Sequence, residues 1–290
     1  MQIVTDSGAD LSQSQIEGLP IHFLPLRITL GDKNFTSGIG ASNSEFYKAL
    51  SETDEYPKTS QVSAGEFAAL YAKVAARDPN ILSIHISSGL SGTLNSAKVG
   101  AAMVPEANIT FWDSKTLSAA QGWQVQAAGL AIKKGWPMEK ILERLSLIRD
   151  QVEGMFTMKE MRYLIHGGRI SQLKGLMATV LNIKPIIAVE HIGGTYINAG
   201  QEMTFKRAVQ KMIQIDEGIF GGQAGPIRAQ IVHGECPEGV RMLQEKAGEH
   251  LNLKFEEVVP VAPALGAHVG ASLTGIIMGP VSLFADLLDD

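Results

Sequence analysis

Apolar and polar positions follow two different periods along this chain. Ile3-Val4, Ile21 to Ile28, Ile81 to Ile86 and Ile109 to Trp112 read as strands. Phe67, Leu70, Tyr71 and Val74 recur at i, i+3, i+4, i+7, the spacing of one helix face. Ile141, Leu142, Leu145 and Ile148 do the same, with Pro137 suited to a first helical turn. Strands alternating with helices predict a mostly parallel, Rossmann-like α/β sheet for the first half, with ligand loops at the carboxyl ends of its strands. The second half reads differently. Pro185 to Glu190, Gly194 to Asn198, Ile227 to His233 and Phe255 to Val261 pattern as strands, and 203–216 and 237–250 as helices. This predicts a second α/β unit, a sheet with helices on one face. The change falls near Asp150 to Met155, so the expected domains are 1–152 and 153–290.

Val258 to Ala285 contains no Asp, Glu, Lys or Arg and is apolar enough to pass for a membrane span. Pro260, Pro263, Pro280 and four glycines would break such a helix repeatedly, so two buried strands around a glycine-rich loop are expected. Stable membrane insertion is therefore not expected. The 290 residues are 45% hydrophobic and 19% charged, an ordinary globular balance with room for a large core. The formal net charge of -5, without a dense Lys/Arg patch, argues against nucleic acid and anionic membrane as partners. A lone Cys236 and an N-terminus that starts on a strand pattern, without a signal-peptide profile, point to the cytoplasm.

Ile81-Leu-Ser-Ile-His-Ile-Ser-Ser-Gly-Leu-Ser-Gly-Thr93 runs from a strand through hydroxyls and glycines into a helix-compatible stretch. Free amides at a helix start and glycines that let a backbone approach closely suit an anion, and Ser87, Ser88, Ser91 and Thr93 add hydroxyls. A simple helix cap by Ser91 or Thr93 explains the same residues equally well. Thr59-Ser60-Gln61 precedes another helix. Ser63 or Ser60 can cap it, with Glu66 closing a capping box from Ser63, and this leaves Thr59 without a role. His166-Gly-Gly-Arg-Ile170 reads as a turn with Gly167 as C-cap, and its Arg169 as a planar fork for a carboxylate or phosphate, or else a surface residue. Gly266-Ala-His-Val-Gly270 places His268 in the uncharged segment, where a neutral imidazole can bond an acid or simply fill core. Asp6 and Asp10 follow the first strand, where paired acids can bind a metal or act as acid and base, but they are expected instead to cap a helix near Leu11; His85 is expected in the core.

Several chemistries are disfavoured. Thr93 stands where a nucleophile elbow around Ser91 needs glycine. There is no phosphate loop of the Gly-x-x-x-x-Gly-Lys type, and Gly38-Ile-Gly-Ala-Ser-Asn43 lacks the third glycine of a dinucleotide fingerprint. No His-x-x-x-His or Cys-x-x-Cys pair points to a metal.

Val4-Thr-Asp-Ser7, Lys58-Thr-Ser-Gln61, Ile86-Ser-Ser-Gly-Leu-Ser-Gly-Thr93, Asp113-Ser114, Gly167-Gly-Arg-Ile170, Asn182-Ile-Lys-Pro185 and Gly266-Ala-His268 follow one another along the chain. In this order and spacing they resemble the DegV family of bacterial fatty-acid-binding proteins. The resemblance implies two α/β domains, the second an α/β sandwich, and an apolar tunnel holding one long-chain fatty acid as ligand, with no other cofactor. Thr59, Ser91 and His268 match the family's carboxylate contacts, with Ser60 and the Gly92 backbone alongside, and Arg169 matches an arginine at the head-group end. It also implies a non-catalytic role: the bound acid is presented to a separate ATP-dependent fatty acid kinase for acyl-phosphate formation in phospholipid synthesis. Gly270-Ala-Ser272 departs from the family's usual Gly-Pro-Gly. The rival reading is an acyl hydrolase or transferase with Ser91 as nucleophile and His268 as base.

Overall fold

The computed structural model describes residues 1–37, 43–173 and 182–288. The Gly38–Ser42 part of the disfavoured dinucleotide motif lies outside them. The strands are β1 (Gln2–Asp6), β2 (Ile21–Leu24), β3 (Arg27–Leu30), β4 (Lys33–Thr36), β5 (Lys58–Ser60), β6 (Asn80–His85), β7 (Asn108–Asp113), β8 (Glu153–Thr157), β9 (Lys184–Val189), β10 (Tyr196–Glu202), β11 (Ile227–His233), β12 (Leu253–Phe255), β13 (Val259–Pro260) and β14 (Thr274–Pro280). The helices are α1 (Gln13–Ile16), α2 (Asn43–Ser51), α3 (Ala64–Ala75), α4 (Thr93–Ala101), α5 (Ser118–Lys133), α6 (Met138–Gln151), α7 (Arg162–His166), α8 (Phe205–Phe220), α9 (Pro237–His250), α10 (Pro263–Val269) and α11 (Ala285–Leu288).

The parallel sheet has the order β2-β1-β6-β7, and a mixed sheet has the order β10-β9-β8-β14-β11-β12, with β13 also on β11. A small antiparallel sheet, β4-β3-β5, lies apart. Alternation along β1 explains the first layers. Val4 joins one core with Phe67 and Tyr71 of α3 and Ala97 of α4. Ile3 faces the other way, into a core with Trp123 and Ala128 of α5. That second core also holds Phe156, Ile187 and Ile277 from the mixed sheet, and Ile141, Leu145 and Ile148 of α6. The far face of the mixed sheet packs Ala208 and Met212 of α8 and Leu243 of α9. The layers therefore run helix, sheet, helix, sheet, helix, with α5 and α6 between the two sheets.

Three expectations are corrected. Ile21 to Ile28 is not one strand: Pro25, which cannot donate to a ladder, separates β2 from β3, and the two strands join different sheets. The mixed sheet has helices on both faces, because α5 and α6 of the first half cover the side turned from α8 and α9. Within Val258–Ala285 the strands β13 and β14 form, but the segment between them is a helix, α10, with Pro263 in its first turn and Gly270 (φ 78°) as its C-cap. No helix among the described residues is long and apolar enough to cross a membrane.

The helix buried between two sheets needs polar satisfaction of its own. Twelve residues of α5 are buried, including Gln121, Gln124 and Gln126. Gln124 accepts from the Trp112 indole (2.7 Å) and donates to the Ser114 carbonyl (3.1 Å). Gln126 accepts from buried Arg228 (2.7 Å), and Trp123 donates to Gln230 (2.6 Å). These bonds tie α5 to β7 and to β11.

Candidate functional site

The loop after β6 divides its hydroxyls into two jobs. Ser87 Oγ donates to the Gly194 carbonyl (2.7 Å), and Ser88 Oγ to Asp113 (2.5 Å). Both are spent on holding the loop to its neighbours. Gly89 sits so close to the β9–β10 hairpin that an added Cβ would lie 2.5 Å from the Gly193 oxygen, so glycine is required there. Ser91 Oγ accepts from the Thr93 amide (3.2 Å) and bonds Thr93 Oγ1 (2.8 Å). The N-cap of α4 is Gly92, with no side-chain capping bond. Ser91 and the Gly92 backbone are thereby turned to a cavity of about 490 Å³.

Thr59, Ser60, Ser91, Gly92, Arg169 and His268 all line this one cavity. Thr59 comes from β5, paired to Ile28 of β3. The α3 N-cap is Ser63, in a full capping box with Glu66, which leaves Thr59 and Ser60 outside the cap. His268 and Ala264 are four residues apart on one face of α10, and both reach the cavity. His268 therefore sits on a helix rather than in a glycine loop. Its Nε2 bonds Thr59 Oγ1 at 2.9 Å, and its Nδ1 has no partner among the described residues. Burial, and then the Arg169 charge, push the imidazole down to about 4, so it is neutral at pH 7. If Nε2 carries the proton and donates to Thr59, the Thr59 hydrogen is left to donate to an anion.

Arg169 follows Gly168 (φ 74°) and opens a short 3-10 turn, while Gly167 caps α7. Its guanidinium donates to the Gly167 carbonyl (2.7 Å), and among the described residues it has no carboxylate partner. A fixed cation faces the cavity beside neutral donors.

An apolar cleft of about 40 Å³ adjoins the polar cavity, sharing Leu265 and Tyr196 with it. Its walls include Leu117 and Ala120 of the first half and Phe156, Val189, Val261 and Ile277 of the second. A full acyl chain requires these walls to part. Met155, with three rotatable bonds, is among them. Tyr196, Leu265 and Leu26 line the polar cavity without any signal in the sequence that singles them out, and Gln61, the last residue of the Lys58-Thr-Ser-Gln61 motif, lines it too.

Asp6 and Asp10 do not cap a helix. Ser12 caps α1, in a capping box with Gln15. Asp10 instead accepts from the Ala262 amide (2.8 Å), at the N-cap of α10, and from Ser118 Oγ (2.5 Å). Burial pushes its carboxyl up to about 7 against the pull of those two bonds. Ser272, in the stretch that departs from Gly-Pro-Gly, accepts from the Lys159 amide (3.0 Å).

Two arrangements bear on hydrolysis. Ser83 Oγ bonds His85 Nε2 (2.7 Å), and His85 Nδ1 bonds Asp6 (2.9 Å), the bonding order of a catalytic triad. All three side chains are 0% exposed, and Ser83 also bonds Tyr71, so the set is core and no substrate reaches it. At the cavity, His268 is bonded to Thr59 and Ser91 to Thr93, so Ser91 and His268 do not form the nucleophile–base pair that acyl transfer needs.

Comparison with known proteins agrees with the motif order. Residues 1–280 match the family model described as "Uncharacterised protein, DegV family". A DegV domain-containing protein of Staphylococcus aureus is 31% identical over 280 residues, covering 95% of this chain and 97% of its own. The fold is similar to that of DegV, a fatty acid binding protein from Bacillus subtilis (TM-score 0.85, 26% identity, 96% of this chain and 98% of that one). It is equally similar to a DegV family protein from Thermus thermophilus whose structure concerns fatty acid binding (TM-score 0.86, 26% identity, 96% and 99%).

Proposed function

This chain belongs to the DegV family, and from that premise we propose that it binds one long-chain fatty acid, carboxylate in the polar cavity and chain in the apolar cleft, and presents the carboxylate to a separate ATP-dependent kinase. The observation that carries the reading is the junction of the two spaces. Neutral hydroxyls, a neutral imidazole and the Arg169 guanidinium line one, and the next is apolar. A carboxylate needs donors, and Thr59, Ser91 and the Gly92 region supply them. Burying methylenes contributes about 0.8 kcal/mol each, so a chain of roughly sixteen carbons gains on the order of 10 kcal/mol before ordering costs. That gain suits a carrier that hides the chain from water.

In the proposed reaction a carboxylate oxygen attacks the γ-phosphorus of ATP on the kinase, and ADP leaves. Charge then develops on the transferred phosphoryl group, and Arg169 is the cation at that end. The test is a paired measurement on Arg169→Ala: palmitate affinity, and acyl phosphate formed with a bacterial fatty acid kinase and ATP. Retained affinity with lost phosphorylation is expected, and Arg169→Lys recovers only part because the planar fork is gone. Equal, large losses in both would make Arg169 a plain carboxylate clamp. A protein that binds the acid but never supports phosphorylation would overturn the presenting role and leave binding standing.

A further inference from the structure

Tyr196 is the first residue of β10, opposite Val189 of β9, and it lines both the polar cavity and the apolar cleft. Its ring lies edge-on to Phe156 (centroids 5.9 Å apart), a residue of the cleft wall. Tyr196 and Arg169 line the same polar cavity, and the Arg169 charge acts on the phenol. The side chain therefore lies at the boundary between the two spaces.

The residue is only 7% exposed, its hydroxyl has no hydrogen-bond partner among the described residues, and the oxygen itself is not sealed away from the cavity. The phenols of Tyr47 and Tyr71 are spent on the Val261 carbonyl (2.9 Å) and Ser83 (2.7 Å), whereas that of Tyr196 is left to bond what enters the cavity. Burial pushes the Tyr196 phenol up to about 12, so it stays protonated, and a donor, throughout the physiological range. Its backbone is held in place as well. Two residues earlier, the Gly194 carbonyl accepts from Ser87, in the same loop that carries Ser91. The β9–β10 hairpin that leads into Tyr196 is thus tied to the Ser91 loop.

We propose that the Tyr196 hydroxyl is a further donor to the ligand's carboxylate, set at the neck between cavity and cleft, so that the site selects an amphiphile whose charged oxygens lie at that depth. The inference rests on the fatty-acid reading above and adds a residue to it. It gives the unpartnered phenol its partner and places the head group between Ser91 and Thr59 on one side and Tyr196 on the other.

Tyr196→Phe keeps the ring and its edge contact and removes only the hydroxyl. Two ligands of equal chain length separate head-group from packing effects: palmitate and 1-hexadecanol. The variant should bind palmitate about tenfold or more weakly, the loss expected for one hydrogen bond to a charged group, while hexadecanol affinity changes by about threefold or less. Carboxyl-labelled [1-13C]palmitate gives a second readout that mere packing would not move. In the variant the bound carboxyl should titrate at higher pH, because a donor that favoured its charged form is gone. Unchanged palmitate affinity would overturn the proposal. So would an equal loss for both ligands with an unmoved carboxyl titration, which would make Tyr196 a packing residue. A parent protein that binds neither ligand would overturn the fatty-acid reading and this proposal together.

Discussion

Thr59 and Ser91 are each bonded to one neighbouring side chain, His268 and Thr93, and each keeps a hydroxyl hydrogen to offer when that neighbour is the donor. Thr59→Ala and Ser91→Ala should therefore each weaken palmitate binding by roughly 1.5–3 kcal/mol, with the thermal midpoint of the ligand-free protein nearly unchanged. Calorimetric titration checks this; two variants that bind as tightly as the parent would place the head group elsewhere. Asp10 makes a different prediction, on stability. Its carboxyl is raised from 3.8 to about 7 by burial, so between about pH 4 and pH 7 the folded protein holds a proton that the unfolded chain has lost. Its contribution is fully present below that window and fades as pH rises through it. Asp10→Asn keeps an acceptor for Ala262 and cannot ionise. Relative to the parent it should gain stability across that window, by about 4 kcal/mol at most, in urea unfolding at several pH values. The parent's buried His268, lowered to about 4, loses stability on acidification in both proteins and cancels from the difference. A variant whose pH profile parallels the parent's would contradict the assignment. At this scale the hydroxyls and the imidazole were legible, because small polar residues among glycines stand out in a sequence. Tyr196 and the Asp10–Ala262 bond were not, since each takes its place from residues far along the chain.

Among the elements, α10 shows what pattern reading misses and why. Pro263-Ala-Leu-Gly-Ala-His-Val269 has a glycine inside and no charge, so propensity argues against a helix. Tertiary contact overrides it. Tyr47 of α2 packs against Gly266 and donates to the Val261 carbonyl, and Asp10 holds the Ala262 amide. A Cβ at Gly266 would fall within 2.8 Å of Tyr47 Cε1, on a ring that is 1% exposed. Gly266→Ala should thus destabilise by about 1–3 kcal/mol through overpacking, although alanine is the better helix former by about 1 kcal/mol. It should weaken acid binding as well, because α10 carries His268. A variant as stable as the parent would show that α2 yields easily. The strands and the long helices α3, α6, α8 and α9 were readable because their apolar faces repeat with a clear period. The break at Pro25 and the start of the three-stranded sheet that carries Thr59 were obscured by the mostly apolar run from Ile21 to Ile28.

At the scale of the whole molecule, the central fact is that α5 and α6 lie between two sheets and that the apolar cleft opens beside them. Its wall takes Leu117 and Ala120 from the first half and Phe156, Val189 and Ile277 from the second. Alternating strands and helices announced a parallel sheet and a second, different sheet. They did not announce that helices of the first half would serve both: α5, buried nearly all round, has no single face for periodicity to reveal, and the apolar face of α6 does not say which sheet it meets. The most direct test of the account is to purify the protein under native conditions, extract it under denaturing conditions and identify the released lipids by mass spectrometry. About one long-chain fatty acid per chain is the predicted result. A protein that emerges empty, and stays empty when offered palmitate or oleate, would contradict it.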